Sequence, residues 1–253
     1  MILDQFRLEG RVALVTGASA GLGAGMAVAL AEAGADVVCH GNTRSPLATV
    51  EQVVVLGRRS LAWQGDMLDR ETPRRLIEAT LDRFGQLDIL VNNAGMIRRA
   101  PAAEHPWEDW DAVIEVNLSS IFRLSQLAGK HMLERGRGKI VNIASMLSFQ
   151  GGITVPGYAA AKGGVAQLTK AMANEWASRG VNVNAIAPGY MRTDNTAALQ
   201  RDETRNRQIL ERLHAGRWGE PSDLMGAVVF LASAASDYVH GHLLVVDGGW
   251  IGR

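Results

Sequence analysis

The chain has 253 residues, 47% of them apolar, which is enough for one large α/β domain with a substantial core. Its 26 basic side chains are balanced by 26 acidic ones, and the basic residues form only short pairs such as Arg58-Arg59, Arg74-Arg75 and Arg98-Arg99, so neither nucleic acid nor an anionic membrane is favoured as a partner. The single cysteine, Cys39, excludes an intrachain disulfide and reads as a small buried residue in the apolar run Asp36-Val-Val-Cys39. The N-terminus lacks the cationic start and apolar core of a secretory signal, and no apolar run approaches the roughly 18 residues of a membrane span. A soluble, cytoplasmic chain is expected.

Arg11-Val-Ala-Leu-Val-Thr16 reads as a buried parallel strand. It runs into the glycine loop Gly17-Ala-Ser-Ala-Gly21-Leu-Gly23, a helix through Met26, Leu30 and Ala33 closed by Gly34, and a second strand over Asp36-Val-Val-Cys-His40. Strand, glycine loop, helix and strand make a βαβ unit. Its glycines let backbone N–H groups approach a pyrophosphate at the helix N-terminus. The spacing is G-x-x-x-G-x-G, not the G-x-G-x-x-G of the commonest dinucleotide fingerprint.

The alternation continues. Arg59–Trp63 is a third strand ending near Gly65-Asp66, Glu71–Phe84 a helix stopped by Gly85, and Asp88–Val91 a fourth strand ending in Asn92-Asn93-Ala94-Gly95. Trp107 to about Arg135 reads as one long helix containing Asn117, and Lys139–Ile143 as a fifth strand that delivers Ser145. A helix bearing Tyr158 and Lys162 follows, then a sixth strand, Val181–Ala187, closed by Pro188-Gly189. The polar segment from about 190 to 215 is expected to form a substrate lid. A helix over Pro221–Ala232 and a strand over His242–Val246 complete a seven-stranded parallel sheet, doubly wound, with helices on both faces in a single domain. The C-terminal Trp250 looks exposed.

Tyr158 and Lys162 stand four apart, which on a helix puts both on one face, about 5–6 Å apart at Cβ. A cation beside a phenol favours the phenolate, so Tyr158 is expected to have a lowered pKa and to serve as general acid–base. Ligands of doubly wound sheets bind beyond the carboxyl ends of the strands, and Gly17, Asp66, Asn92, Ser145 and Pro188 all fall at such ends. The six histidines show no H-E-x-x-H pattern, and no metal is expected.

Thr16-Gly17-x3-Gly21-x-Gly23, Asn92-Asn93-Ala94-Gly95, Asn117, Ser145, Tyr158-x3-Lys162 and Pro188-Gly189 together resemble the motif set of the short-chain dehydrogenase/reductase family, over about residues 8–249. The resemblance implies a Rossmann-type domain that transfers hydride between a nicotinamide and a secondary alcohol or ketone. It implies that Tyr158 moves the proton, Ser145 holds the substrate oxygen, Lys162 binds the nicotinamide ribose and tunes Tyr158, and Asn117 supports a proton-relay water. Around the cofactor it places Gly17, Ser19, Gly21, Leu22 and Gly23 at the pyrophosphate and adenine ribose, and Asp66 and Met67 at the adenine. Asn93, Ala94 and Gly95 fall beside its backbone, with Pro188, Gly189, Met191 and Thr193 on the nicotinamide side. A homotetramer is also implied.

Where the family's usual aspartate would select NAD at the end of the second strand, the sequence reads His40-Gly41-Asn42-Thr43-Arg44. NADP is therefore open, with Arg44 a candidate phosphate partner, although a slight lean to NAD follows from a closer resemblance. Asn92-Asn-Ala-Gly-Met-Ile-Arg-Arg99, Ser145-Met-Leu-Ser-Phe-Gln-Gly-Gly152 and Gly189-Tyr-Met-Arg-Thr-Asp-Asn-Thr196 resemble the branch acting on 2-deoxy-D-gluconate or 2-dehydro-3-deoxy-D-gluconate. A sugar-acid substrate is implied, its carboxylate gripped by Arg98 or Arg99 and a hydroxyl met by Gln150. A 3-oxoacyl-carrier-protein reductase and a catalytically silent scaffold are the alternatives.

Overall fold

Strand β1 (Val12–Val15) sits near the middle of a seven-stranded sheet in the computed structural model, which describes residues 1–252. Along β1 and its neighbour β2 (Asp36–Gly41), alternate residues feed opposite layers of core. Ala13, Val15, Val37 and Cys39 face one layer, while Leu14 and Val38 face the other. Because both faces are covered, these strands are apolar without alternation, as in any fully buried parallel sheet.

The first layer is packed by α1 (Gly21–Glu32) through Met26 and Leu30, by α2 (Leu47–Val55) through Val53, and by the C-terminal helix introduced below. β3 (Ser60–Gln64) pairs with β2 at the edge. The second layer holds Leu76 and Ile77 of α3 (Thr72–Phe84), which ends at Gly85 with φ +73°. β4 (Ile89–Asn92) leads to α4 (Trp107–Ile114), a π-helical turn over Glu115–Ser119, and α5 (Ser120–Arg135). β5 (Gly138–Ile143), α6 (Pro156–Trp176) and β6 (Val181–Pro188) follow. Two short helices, α7 (Ala197–Arg201) and α8 (Glu203–Arg212), occupy the segment expected to be a lid, and α9 (Met225–Ala232) and β7 (Leu243–Val246) end the fold.

The sheet order is β3-β2-β1-β4-β5-β6-β7, with every neighbouring pair parallel. The chain reverses its winding direction between β1 and β4, which opens a crevice at their carboxyl ends. The expected class, a doubly wound parallel α/β sheet, is the observed one. Three details differ from the sequence reading. Helix α2 fills a stretch that the pattern left unassigned, because its exposed face carries valines and leucines that blur the amphipathic stripe. The long helix is broken by the π turn at Asn117. Trp250 is buried, only 7% exposed, against the Tyr190 ring.

Candidate active site

The loop after β1 is locked to the loop after β4 before any ligand is considered. The Thr16 hydroxyl oxygen accepts from the N–H groups of Asn93 (2.9 Å) and Ala94 (3.0 Å), and the Asn93 amide donates to the carbonyls of Thr16 (2.8 Å) and Gly17 (3.2 Å). Between the two loops lies a cleft of about 240 Å³, lined by Gly17, Gly21, Leu22, Gly23, Asn93, Ala94 and Gly95, and further along by Asn117, Tyr158, Lys162 and Thr193. Helix α1 opens into this cleft with no side-chain cap at Ala20, so its first N–H groups are available to an anion. A Cβ on Gly23 would lie 2.2 Å from the Gly17 carbonyl oxygen, so only glycine allows this tight approach of loop to helix. An uncapped helix start beside a floor without side chains fits the pyrophosphate of a dinucleotide, and these residues would hold it.

Asn117 shows why the helix above the cleft widens. Its amide donates to the carbonyl of Val113 (2.9 Å), one turn back, and to that of Met96 (2.9 Å), while its carbonyl oxygen accepts from Met96 N–H (3.1 Å). A π turn leaves a backbone carbonyl without its usual partner, and here the side chain supplies one. The same side chain clamps the strand-end loop at Met96 from within the core, at 0% exposure.

Helix α6 brings Tyr158 and Lys162 to the junction of this cleft with a second pocket. The Lys162 ammonium lies 5.6 Å from the Tyr158 ring centre and donates to the Ile143 carbonyl at 2.5 Å. Ser145, at the end of β5, hydrogen-bonds the Tyr158 phenol and accepts from Leu147 N–H at 3.1 Å. Ser148 fixes the α6 backbone by donating to the Lys162 carbonyl at 2.7 Å. Ser145, Tyr158, Lys162 and Asn117 are thus gathered at one place.

The electrostatics depart from the simple expectation. Burial pushes the Tyr158 phenol above its usual range, against the lowering influences of the Ser145 hydrogen bond and the Arg99 guanidinium. Burial also brings the Lys162 ammonium down from 10.5 to about 8. The expected lowering of Tyr158 by its lysine does not dominate: desolvation penalises both charged forms, and the ammonium is turned towards the Ile143 carbonyl.

The second pocket, about 330 Å³, is walled by Ser145, Gln150, Tyr158, Gly189 and Tyr190 and closed by α8. Arg99, Arg205 and Arg212 all line it, no aspartate or glutamate does, and among the described residues none of the three arginines belongs to an ion pair. Arg212 donates to the Gln150 side-chain oxygen at 3.4 Å and lies over the Trp250 ring. The base of α8 is fixed by aromatic packing: Tyr190 meets Trp218 and Trp250 edge-on, at 5.3 and 4.7 Å between centroids, and Trp218 donates to Asn206 at 2.8 Å.

Not every expected contact lands in these cavities. Arg98 points away and pairs with Asp109 at 3.4 Å, leaving Arg99 as the member of the pair that faces the pocket. Met67 and Met191 are buried in the core and line neither the cleft nor the pocket; Met191 packs on Gly219. Pro188 ends β6, buried in the sheet. Asp66 caps its own turn by accepting from Leu68 N–H (3.0 Å) and also accepts from the Asn42 amide (3.2 Å). Ser19 donates to the Arg44 carbonyl at 2.6 Å, which places it at the end of β2. The sequence reading missed Arg205, Arg212, Tyr190 and Trp250; the polar run around Arg201–Arg207 was the only trace of the first.

Comparison with known proteins accords with this geometry. A 2-dehydro-3-deoxy-D-gluconate 5-dehydrogenase of Escherichia coli is 56% identical, over the full length of both chains. One of Bacillus subtilis is 54% identical, covering 99% of this chain and 98% of its own. The crystal structure of a gluconate 5-dehydrogenase from Burkholderia cenocepacia, in complex with NADP and tartrate, superposes with a TM-score of 0.94 at 41% identity, over the whole of both chains. The family model described as short chain dehydrogenase matches residues 11–204, and the chain belongs to the short-chain dehydrogenase family.

Proposed function

We propose that this NAD(P)-dependent oxidoreductase interconverts a secondary alcohol and a ketone on a deoxy- or keto-hexonate, such as 2-deoxy-D-gluconate or 2-dehydro-3-deoxy-D-gluconate. The observation that carries the substrate class is the convergence of Arg99, Arg205 and Arg212, none in an ion pair among the described residues, on an acid-free pocket that opens onto the Tyr158 and Ser145 hydroxyls. Unneutralised guanidinium groups around a reaction centre favour an anionic substrate, and their planar forks match a carboxylate. The names of the relatives support the same class.

When bound in the cleft, the nicotinamide takes or supplies the hydride. In the reducing direction Ser145 holds the substrate oxygen and Tyr158 gives it a proton; oxidation runs the same path in reverse. Lys162, held by the Ile143 carbonyl, keeps a positive charge beside the phenol while the pH stays below about 8. Asn117 holds the loop at Met96 and so sets the cleft's inner wall.

The finer choice of cofactor goes against the slight lean to NAD. A Cβ at position 41 would lie 2.2 Å from the Ser19 hydroxyl and 2.3 Å from the Arg44 carbonyl, so the acidic side chain that would repel a 2′-phosphate has no room. Arg44 and Asn42 stand there instead, and NADP is accepted. We also propose a homotetramer, supported by apolar side chains left exposed at Trp107 and Phe122 on the α4–α5 arm and at Ile153. No helix is long and apolar enough to cross a membrane among the described residues.

Initial rates test this reading with NADH and NADPH against hexonates, a neutral keto-sugar of the same length and a β-ketoacyl thioester. A preference of about a hundredfold for the acid over the neutral sugar is expected from one or two charge-assisted hydrogen bonds. Equal rates with the neutral sugar, or a better thioester, would overturn the assignment. Arg44→Ala should weaken NADPH and spare NADH.

A further inference from the structure

His40, the fifth residue of β2, is 1% exposed and does not line the cleft, yet it touches the glycine loop twice. Its Nδ1 accepts from Gly17 N–H at 3.2 Å, and its backbone carbonyl accepts from Ala18 N–H at 2.7 Å. Its Nε2 lies 2.9 Å from the Gly65 carbonyl, in the turn that follows β3. A carbonyl needs a donor and an N–H needs an acceptor, so the two neighbours together specify one state: the neutral imidazole with its hydrogen on Nε2. No other tautomer satisfies both, and the charged ring, a donor at each nitrogen, would turn an N–H against the Gly17 N–H.

We propose that His40 is a positioning residue for the dinucleotide: as a neutral imidazole it pins Gly17, and with it the loop that meets the pyrophosphate, and on protonation it lets that loop go. The proposal rests on the cleft being the dinucleotide site. Gly17 has little freedom to compensate, since its φ of +66° already lies in the left-handed region and the Asn93 amide packs against its Cα side. The surroundings oppose the charged ring. Burial, the largest influence, holds the imidazole below its ordinary 6.5, while the Gly65 hydrogen bond and the Asp66 carboxylate act in the opposite direction. The groups that meet the ring from other elements carry no further charge: Gly17 from the glycine loop, the Gly65 carbonyl, and Trp63 of β3, whose ring centroid is 5.9 Å away. A folded-state pKa below the unfolded one means that the pinned loop is fully supported above about pH 6.5, and that the support is lost as the pH falls through the lowered value.

The test uses NADH, which carries no 2′-phosphate to titrate in the same range, and the full-length protein. NADH binding is measured by fluorescence between pH 8 and 5 for the wild type, for His40→Asn, which keeps an acceptor where Nδ1 stands but does not titrate, and for His40→Leu, which has no acceptor. Wild-type affinity should fall by about tenfold for each pH unit below the folded pKa, as coupling to one proton requires. His40→Asn should stay within about threefold across the range, and His40→Leu should bind about tenfold more weakly than wild type at pH 8, the loss of one buried hydrogen bond. A His40→Asn variant with the wild-type slope would overturn the proposal, whether or not His40→Leu folds. So would a ring ¹⁵N spectrum at pH 7 showing the hydrogen on Nδ1. Failure of the wild type to bind either NADH or NADPH at pH 8 would instead overturn the dinucleotide cleft itself.

Discussion

The Arg212 guanidinium lies over the face of Trp250, its central carbon 4.1 Å from the ring centroid, so the last residue of α8 is stacked on the segment that follows β7. Stacking fixes the plane of the fork, and the Gln150 oxygen fixes its rotation. Arg212→Gln should therefore raise the KM for hexonate with kcat less affected, lowering kcat/KM by about a hundredfold. Arg212→Lys should recover little, because an ammonium cannot stack or bind bidentately. Steady-state kinetics at two ionic strengths would check both.

Tyr158→Phe keeps the ring that packs beside Lys162 and removes only the hydroxyl shared with Ser145. The loss of kcat should be about a hundredfold to ten-thousandfold, the range for one general acid–base group, while cofactor affinity stays within a few-fold. Activity equal to wild type would remove the assignment of Tyr158.

Lys162 gives a pH-dependent stability effect with a definite sign. Its folded pKa, about 8, lies below the unfolded 10.5, so between those values the unfolded chain binds the extra proton. The lysine's contribution to stability is therefore highest above about pH 10.5 and is lost as the pH falls through about 8. Lys162→Met should gain its largest stability advantage over wild type below pH 8, shrinking towards pH 10, while losing catalysis. Thermal melts across that range would measure it.

Asn117→Ala leaves the N–H and carbonyl of Met96 without their partner and frees the Val113 carbonyl. Unsatisfied buried groups of this kind cost about 1–3 kcal/mol each, so denaturant unfolding should show a clear loss, accompanied by weaker cofactor binding. Gly95→Ala should imitate the second effect, since its Cβ would meet the Asn117 oxygen at 2.7 Å.

Much of this site was legible in the sequence because it depends on short-range spacing. Tyr158 and Lys162 are one helical turn apart, Ser145 sits at a strand end, and the glycines occupy a loop between strand and helix. The cationic pocket was not legible, because Arg99 follows β4 whereas Arg205 and Arg212 lie on α8, more than a hundred residues later, and the two segments meet only in the folded chain. Nor was the sign of the Tyr158 shift, which depends on how much water the site excludes and not on which charges are near in sequence. Trp250 follows two glycines near the chain end, where composition suggests exposure; the cluster of Tyr190, Trp218 and Ile209 that covers it is assembled from distant residues.

The crowding at Gly41 bears on how coenzyme preference could change in this scaffold. A point replacement by aspartate, the obvious engineering step towards strict NAD use, would collide with the Ser19 hydroxyl and the Arg44 backbone instead of reaching a ribose. Exchange of coenzyme would require the serine, the glycine and the following turn to be redesigned as one block. Selection acting on single substitutions would meet a misfolded loop before it met a new specificity.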